Sequence, residues 1–455
     1  MIVITNIFFV KKKERDIMSV STFAIIGIIM MVLLTILCVS GKVTPTVAFI
    51  AVPLIACAIC RFSVSDISEW IGMGLHSQVN NVAMFTFAII FFGIMSDAGV
   101  FDRLVNKLIA ICGNNVILVA IITVVATIIG HADGSGATTY LIVIPPMLAI
   151  YKKNNMRPVL LMTLVALTIG IMNVVPWGGP CGRIAAGFGL DAMDIWIYGL
   201  PLMFFGIALV FVIAIILAKK EIRNGAGVKQ SSIAGSEKRE VLEEEAALRR
   251  PKLFWINLIV VILVFVFIFK QILPIAASFM VGSVLGFLIN YPDPKEQGKR
   301  LASYAPSCLA MDSILLASGV FTGVLNNSPI KEALVTVMTQ SIPSTATTHL
   351  SAFLALLLAP LVFLGLDINV LAYTIGPIIA EMVSVHGISP IVIASIINTC
   401  WEPVNMFGAT GAAMYIGLGL CGVEYKDHVR FGVKWGFLIA FLSVIFAFVI
   451  GIYPL

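Results

Sequence analysis

The sequence predicts an all-α polytopic membrane protein with about ten transmembrane helices and two re-entrant hairpins. Three observations predict it. Of 455 residues, 60% are hydrophobic and 12% charged, about half the roughly 25% charge of a soluble domain, and the mean hydropathy is +1.04. The apolar residues come in long continuous runs, the mark of spanning helices, rather than in the alternation of barrel strands. Two of those runs are interrupted by polar residues, a break tolerated at membrane depth only where it is buried in protein or lines a cavity. This composition excludes a soluble enzyme, a secreted scaffold and a nucleic-acid binder. The net charge of +5 says little about partners, because in a membrane protein the placement of charge matters more than its sum. The eight cysteines fall almost entirely inside apolar runs. Cys57 and Cys60 form a C-x-x-C with no histidine nearby, so the set reads as small apolar residues rather than a disulfide framework.

At about 20 residues per crossing, spans are expected near 20–40, 44–61, 79–97, 158–182, 196–218, 253–271, 274–291, 304–325, 388–411 and 431–453. The interrupted stretches near 114–150 and 347–380 read as the hairpins. Their breaks are HADGSG at 131–136 and GLDIN at 365–369, and their arms are mostly too short for a full crossing. An ordinary pair of spanning helices with a short loop is the alternative. A hydrophilic insertion at 219–252 divides the chain. The parts on either side resemble each other: FFGIMSDAGVFDRLVNKLI (91–109) matches FTGVLNNSPIKEALVTVMT (321–339), and Asp133/Asp367, Pro146/Pro377, Pro158/Pro390 and Trp177/Phe407 recur at nearly constant spacing. Such a run of matches is an internal repeat. Five crossings per copy invert the second, so 18–218 and 253–455 are expected to be inverted repeats.

Placing the 219–252 linker in the cytoplasm puts 21 Lys and Arg on that side, against Arg61, Arg183, Lys270 and Lys331 on or near the other, a positive-inside pattern. The C-terminus is then outside. The cluster KKKERD at 11–16 sits on the wrong side, and Met18 stands just before the first span. Residues 1–17 therefore read as an extension upstream of a start at Met18. No A-x-A site follows the first apolar run to mark a cleavable signal.

Four segments carry the chemistry. The first tip, GHADGSGATTYLIVIPP (130–146), offers free backbone N–H groups and the positive end of the next helix to an anion. Asp133 suits a cation or proton there, or caps the helix. In NVVPWGGPCGR (173–183), Pro176, Gly178, Gly179 and Pro180 must unwind a helix at midplane, the usual transporter geometry. Arg183 follows within one turn. It serves a substrate carboxylate bidentately, a structural ion pair, or snorkelling to the surface. The mirror segments 364–377 and 398–411 bring Asp367, Asn369, Asn398, Glu402, Asn405 and Thr410. Glu402, beside Trp401 and Pro403, sits where apolar surroundings penalise the charged form, so it reads as a proton carrier or as a Glu bonded into the break. His131 is a second titratable candidate or a cap. Asp312 and Glu381 receive less weight. No nucleophile–base set, zinc motif or Cys/His cluster supports a membrane enzyme, and no output domain supports a receptor.

HADGSGATTYLIVIPPMLAIYKKNNMRP and MNVVPWGGPCGR, with FFGIMSDAGVFDRL, LGLDINVLAYTIGPIIAE and GVEYKDHVRF, resemble the citrate–magnesium/proton and citrate–calcium/proton symporters, the CitMHS family, over most of the chain. The resemblance implies a secondary transporter of the cell membrane that imports citrate as a divalent-metal complex with protons. It implies a homodimer working by an elevator-type motion. It implies no cofactor and no fixed metal site, with Mg2+ or Ca2+ carried along with the substrate. Carried over, the first-half substrate positions are Asp133, Thr138, Thr139, Asn173, Trp177, Gly178, Gly179 and Arg183. Ser135 stands where family members often carry a second acid. The substrate set is completed by Ser135, Asn369, Asn398, Asn405 and Thr410, and the coupling set by Asp133, Glu402, Asp367 and His131. A sibling transporter of another small carboxylate, such as a dicarboxylate or sugar acid moved with protons or sodium, is the alternative.

Overall fold

The structure is a computed structural model describing residues 19–40, 42–111, 113–227, 247–270, 272–341, 350–363, 368, 371–384, 387–408 and 412–453. All regular structure in these residues is helical. Residues 1–17, Cys112 and most of the linker lie outside the described residues, as do Asp367, Asn369 and Thr410.

Helices α1 (Val20–Ser40) and α2 (Pro45–Ile59) lead into α3 (Val64–Asp97). Helix α3 has 34 residues, about 51 Å at 1.5 Å per residue, far more than the roughly 30 Å hydrocarbon core. It starts 15 residues before the expected span because Ser63 accepts from the Asp66 N–H and caps it. Its first turns, VSDISEWIGMGLHSQ, are too polar to register as membrane-crossing sequence. A short amphipathic helix, α4 (Val100–Ala110), follows. Next come α5 (Val116–Gly130) and α6 (Gly136–Lys153), which pack against each other as a hairpin around the expected 131–136 turn. Helices α7 (Pro158–Met172) and α8 (Gly179–Phe188) are two pieces of one interrupted path, and α9 (Ala192–Arg223) closes this part of the chain.

After the linker come α10 (Phe254–Phe269), α11 (Ile275–Asn290) and α12 (Pro294–Asn327). Helix α12 again has 34 residues, begins ten residues before the expected span, and is capped by Asp293 accepting from Lys295 N–H, with Pro294 at its first position. Helices α3 and α12 pack along each other, close enough that a Cβ on Gly74 would sit 1.9 Å from the Gly319 carbonyl oxygen. Then follow α13 (Pro329–Ser341), α14 (Leu350–Phe363), a π-turn at Leu371–Ile375 running into α15 (Gly376–Ser384), α16 (Pro390–Cys400), α17 (Glu402–Asn405), α18 (Ala412–Cys421) and α19 (Tyr425–Val449). The sequence reading ends its ninth span at 411 and assigns no span to the residues of α18.

Among the described residues, five helices are long and apolar enough to cross a membrane: α3, α9, α10 with its preceding turn, α12 and α19. Helices α2, α7 and α11 are equally apolar but have 15 or 16 residues, about 23 Å of helix. The described cysteines Cys57, Cys60, Cys181, Cys308, Cys400 and Cys421 are buried and free.

Candidate functional site

The hairpin tip is built by local capping. Helix α5 ends at His131, and the chain turns through Gly134 at φ +72, a left-handed conformation that glycine adopts without strain. Asp133 Oδ1 accepts from the Ser135 N–H at 2.9 Å. Ser135 is the N-cap of α6, its hydroxyl accepting from Thr138 N–H and from Thr138 Oγ1, the latter at 2.9 Å. The cap of α6 is therefore Ser135, and Asp133 instead holds the turn that leads into it.

The tip rests on the break between α7 and α8. A Cβ on Gly134 would lie 3.1 Å from Gly178 Cα and 3.3 Å from the Trp177 carbonyl oxygen, so only glycine allows this approach. Trp177 donates its indole N–H to the Ala132 carbonyl at 2.8 Å. Its ring is packed among Phe92, Trp196, Phe265 and Phe279, with centroids 5.3 to 6.2 Å away. Asn173 caps the end of α7, and α8 restarts at Gly179, where an added Cβ would meet nothing within 4 Å. The amide ends of α6 and α8 thus come together, and both direct positive dipole toward an anion.

The second half meets this break from the other side. At Gly170 of α7, a Cβ would stand 2.9 Å from both the Glu402 carbonyl oxygen and Pro403 Cα. That closeness brings the fully buried Glu402 side chain to Asn173, whose Nδ2 donates to Glu402 Oε2 at 3.0 Å. Asn173 Oδ1 in turn lies 2.9 Å from His131 Nε2, and His131 Nδ1 lies 2.7 Å from Thr139 Oγ1. Arg183 and Asn405 also act on the Glu402 charge, while Glu402 Oε1 has no hydrogen-bond partner among the described residues. Asn398 donates to the Val174 carbonyl at 3.2 Å, so each half sends one asparagine into the other's break.

Beside the tip a cavity of about 190 Å³ reaches Thr138 and is lined by Asp97, Asp102 and Arg249 among others. Arg249 pairs with Asp102 at 2.6 Å, and Tyr304 donates to Asp97 at 2.6 Å.

The structure thus gathers His131, Asp133, Ser135, Thr138, Thr139, Asn173, Trp177, Gly178, Gly179, Arg183, Asn398, Glu402 and Asn405 around two helix breaks. Asp312 lies apart and accepts from Thr86; Glu381 pairs with Lys331 at 3.4 Å. The sequence reading missed His428, which is buried, bonds the Met406 carbonyl at 3.0 Å and stacks on Phe407. Its one signal was its place in GVEYKDHVRF. Among the described residues no group of three or more His, Cys, Asp or Glu is arranged to hold a metal ion.

Residues 2–398 match the family model described as CitMHS, citrate transporter. A citrate transporter of Bacillus subtilis (strain 168) is 33% identical over 94% of this chain and 99% of its own length. A Mg(2+)/citrate complex secondary transporter of the same organism is 28% identical over 94% of this chain and 98% of its own length. In fold, the chain is similar to the crystal structure of the YdaH transporter of Alcanivorax borkumensis, with a TM-score of 0.58 and 13% identity over 96% of this chain and 99% of that one.

Proposed function

We propose, proceeding from the fact that the chain belongs to the citrate transporter family, that it imports citrate as a divalent-metal complex together with protons. That it is a membrane transporter rather than an enzyme follows from the family and its relatives. The metal and the coupling ion belong to this proposal. The metal reading is supported by the Mg(2+)/citrate relative, and the ion is cargo bound through citrate, with Asp133 as the one carboxylate at the tip.

The observation that carries the coupling is Glu402: a fully buried carboxylate that Asn173 bonds across the two halves, placed where both helix breaks meet. A charge at such depth must be neutralised by a proton, a metal ion or a fixed partner. In this reading Glu402 takes the proton. Arg183, the hydroxyls of Ser135 and Thr138, and the amide ends of α6 and α8 at Gly178 and Gly179 receive the citrate carboxylates, while the buried Thr139 hydroxyl stands behind them on His131 and the Ser135 carbonyl. Asn398 and Asn405 contribute from the second half.

The inverted-repeat reading of 18–218 and 253–455 is supported by one element order on either side of the linker: two apolar helices, a 34-residue helix, a short helix, a hairpin-like pair and an interrupted path before a final long helix. An elevator-type motion of a homodimer in the cell membrane, with the linker cytoplasmic and the C-terminus outside, completes the proposal.

The test is uptake by proteoliposomes. Glu402→Gln mimics the protonated acid. It is expected to exchange labelled citrate across the membrane but not to accumulate it under a pH gradient. Normal pH-driven accumulation by Glu402→Gln overturns the assignment. Citrate uptake indifferent to Mg2+ and Ca2+ overturns the metal.

A further inference from the structure

The hydrogen bonds at Asn173 belong to one unbroken line of side chains. It runs from Glu402 Oε2 to Asn173 (3.0 Å), from Asn173 to His131 (2.9 Å), from His131 to Thr139 (2.7 Å), and from Thr139 Oγ1 to the Ser135 carbonyl (2.7 Å). His131, Thr139, Asn173 and Glu402 are all buried. The line starts in the second half and ends at the cap of the hairpin tip.

Proton counting allows this line two directions. A carboxamide has a donor end and an acceptor end of nearly the same shape, a neutral imidazole has one donor and one acceptor nitrogen, and a hydroxyl has one proton. An ionised Glu402 only accepts, so Asn173 must give it Nδ2 and turn Oδ1 to His131. His131 then carries its proton on Nε2, its Nδ1 accepts, and the Thr139 hydroxyl donates to Nδ1 instead of to Ser135. A protonated Glu402 that donates to Asn173 reverses every step. Oδ1 faces Glu402, Nδ2 faces His131 Nε2, Nδ1 carries the proton and donates to Thr139 Oγ1, and the Thr139 hydroxyl turns onto the Ser135 carbonyl. With a neutral His131, any mixture leaves two donors or two acceptors facing each other. The two states differ by one proton, and the His131 N–H changes nitrogen between them.

We propose that Asn173 is a polarity switch: its amide turns over when Glu402 gains or loses its proton and so reports that event to Thr139 and Ser135 at the tip. This rests on the reading that Glu402 carries the proton. Asn173 is a positioning residue here. What changes at the substrate end is the Ser135 carbonyl, tied to the Thr139 hydroxyl in one state and released from it in the other. Few other charges face Glu402. Arg183 does so from α8, and His428 of α19 lies at the next turn on the Met406 carbonyl. Helices α7, α14 and α16, which pack on α17, contain no Asp, Glu, Lys, Arg or His.

The experiment uses the full chain in lipid vesicles with 15N-labelled histidine. The His131 ring signals are identified as those missing from His131→Gln. The protonated carboxyl band of Glu402, followed by infrared spectroscopy, is identified as the one missing from Glu402→Gln. The expected result is a His131 tautomer that changes from Nε2–H to Nδ1–H as pH falls, with the same midpoint as the Glu402 band. In Asn173→Leu, Glu402 should still titrate while the His131 tautomer no longer follows it. A fixed tautomer, or a doubly protonated ring, in wild-type protein whose Glu402 does titrate overturns the switch and leaves the coupling reading standing. A Glu402 band that never changes overturns both. The wild-type series decides by itself if Asn173→Leu does not fold.

Discussion

Replacing Gly134 with alanine tests whether the tip and the α7–α8 break form one site. The substitution has two separable costs. Gly134 has φ +72, and a left-handed backbone costs an L-residue roughly 1–2 kcal/mol. The added Cβ would also lie 3.1 Å from Gly178 Cα and 3.3 Å from the Trp177 carbonyl. Both are backbone, so the tip must lift by a few tenths of an ångström. That movement strains the bond from Trp177 to the Ala132 carbonyl, worth about 0.5–1.5 kcal/mol. Gly451 supplies the control: its φ is also +72, but a Cβ there meets nothing within 4 Å. Gly451→Ala pays the backbone cost alone. If the loss of the Trp177 bond falls on the bound state, affinity drops by up to about tenfold, at 1.4 kcal/mol per decade. Calorimetry of both purified variants with magnesium citrate reads this directly. Gly134→Ala should bind several-fold to tenfold more weakly than wild type, and Gly451→Ala should bind as wild type does. Equal affinities for the two variants refute the claim that tip and break bind substrate together.

Two further outcomes are expected. Arg183→Lys keeps the charge but loses the planar fork, so citrate affinity should fall by roughly 10- to 150-fold, from a lost charge-assisted contact of about 1.5–3 kcal/mol; unchanged binding in a folded variant would return Arg183 to a structural role. Single cysteines at positions 135 and 367 in a cysteine-free background should react with impermeant reagents from opposite sides of the membrane, and labelling of both from one side in every state would sink the inverted-repeat reading.

What sequence could reveal here followed the range of the interaction. The break at 173–178 was legible because Pro176 and Gly178 interrupt a helix by their own backbone chemistry, and Pro180, in the first turn of α8, suits only the start of a new one. The tip was legible because Asp133 and Ser135 each bond a backbone N–H two or three residues on. The starts of α3 and α12 were missed because their first turns are polar, even though Ser63 and Asp293 are ordinary caps. The pairing of Asn173 with Glu402, 229 residues apart, has no local signature at all. Nothing in VVPWGG says which distant side chain its cap will meet, and Gly170, which allows the meeting, looks in sequence like any small residue in an apolar helix.

That long-range pairing also suggests why substrate and proton would travel together. Glu402 Oε1 has no partner among the described residues, and an unsatisfied buried polar atom costs about 1–3 kcal/mol, more when it is charged. The ionised side chain therefore depends on Asn173, on Asn405 and on the positive charge of Arg183. In the proposed site, Arg183 is also the group that receives a citrate carboxylate. An anion that occupies Arg183 withdraws the fixed positive charge facing Glu402, and it adds negative charge at the same break. The carboxylate is then tolerable only with a proton on it. Linkage makes the effect reciprocal: a proton on Glu402 releases Arg183 for the anion by the same free energy. One arginine shared between a buried acid and an arriving anion is thus enough to couple the two, and it requires Arg183 and Glu402 to be non-additive. In Glu402→Gln, where the competing charge is gone, citrate should bind as well at high pH as it does to the wild-type protein at low pH.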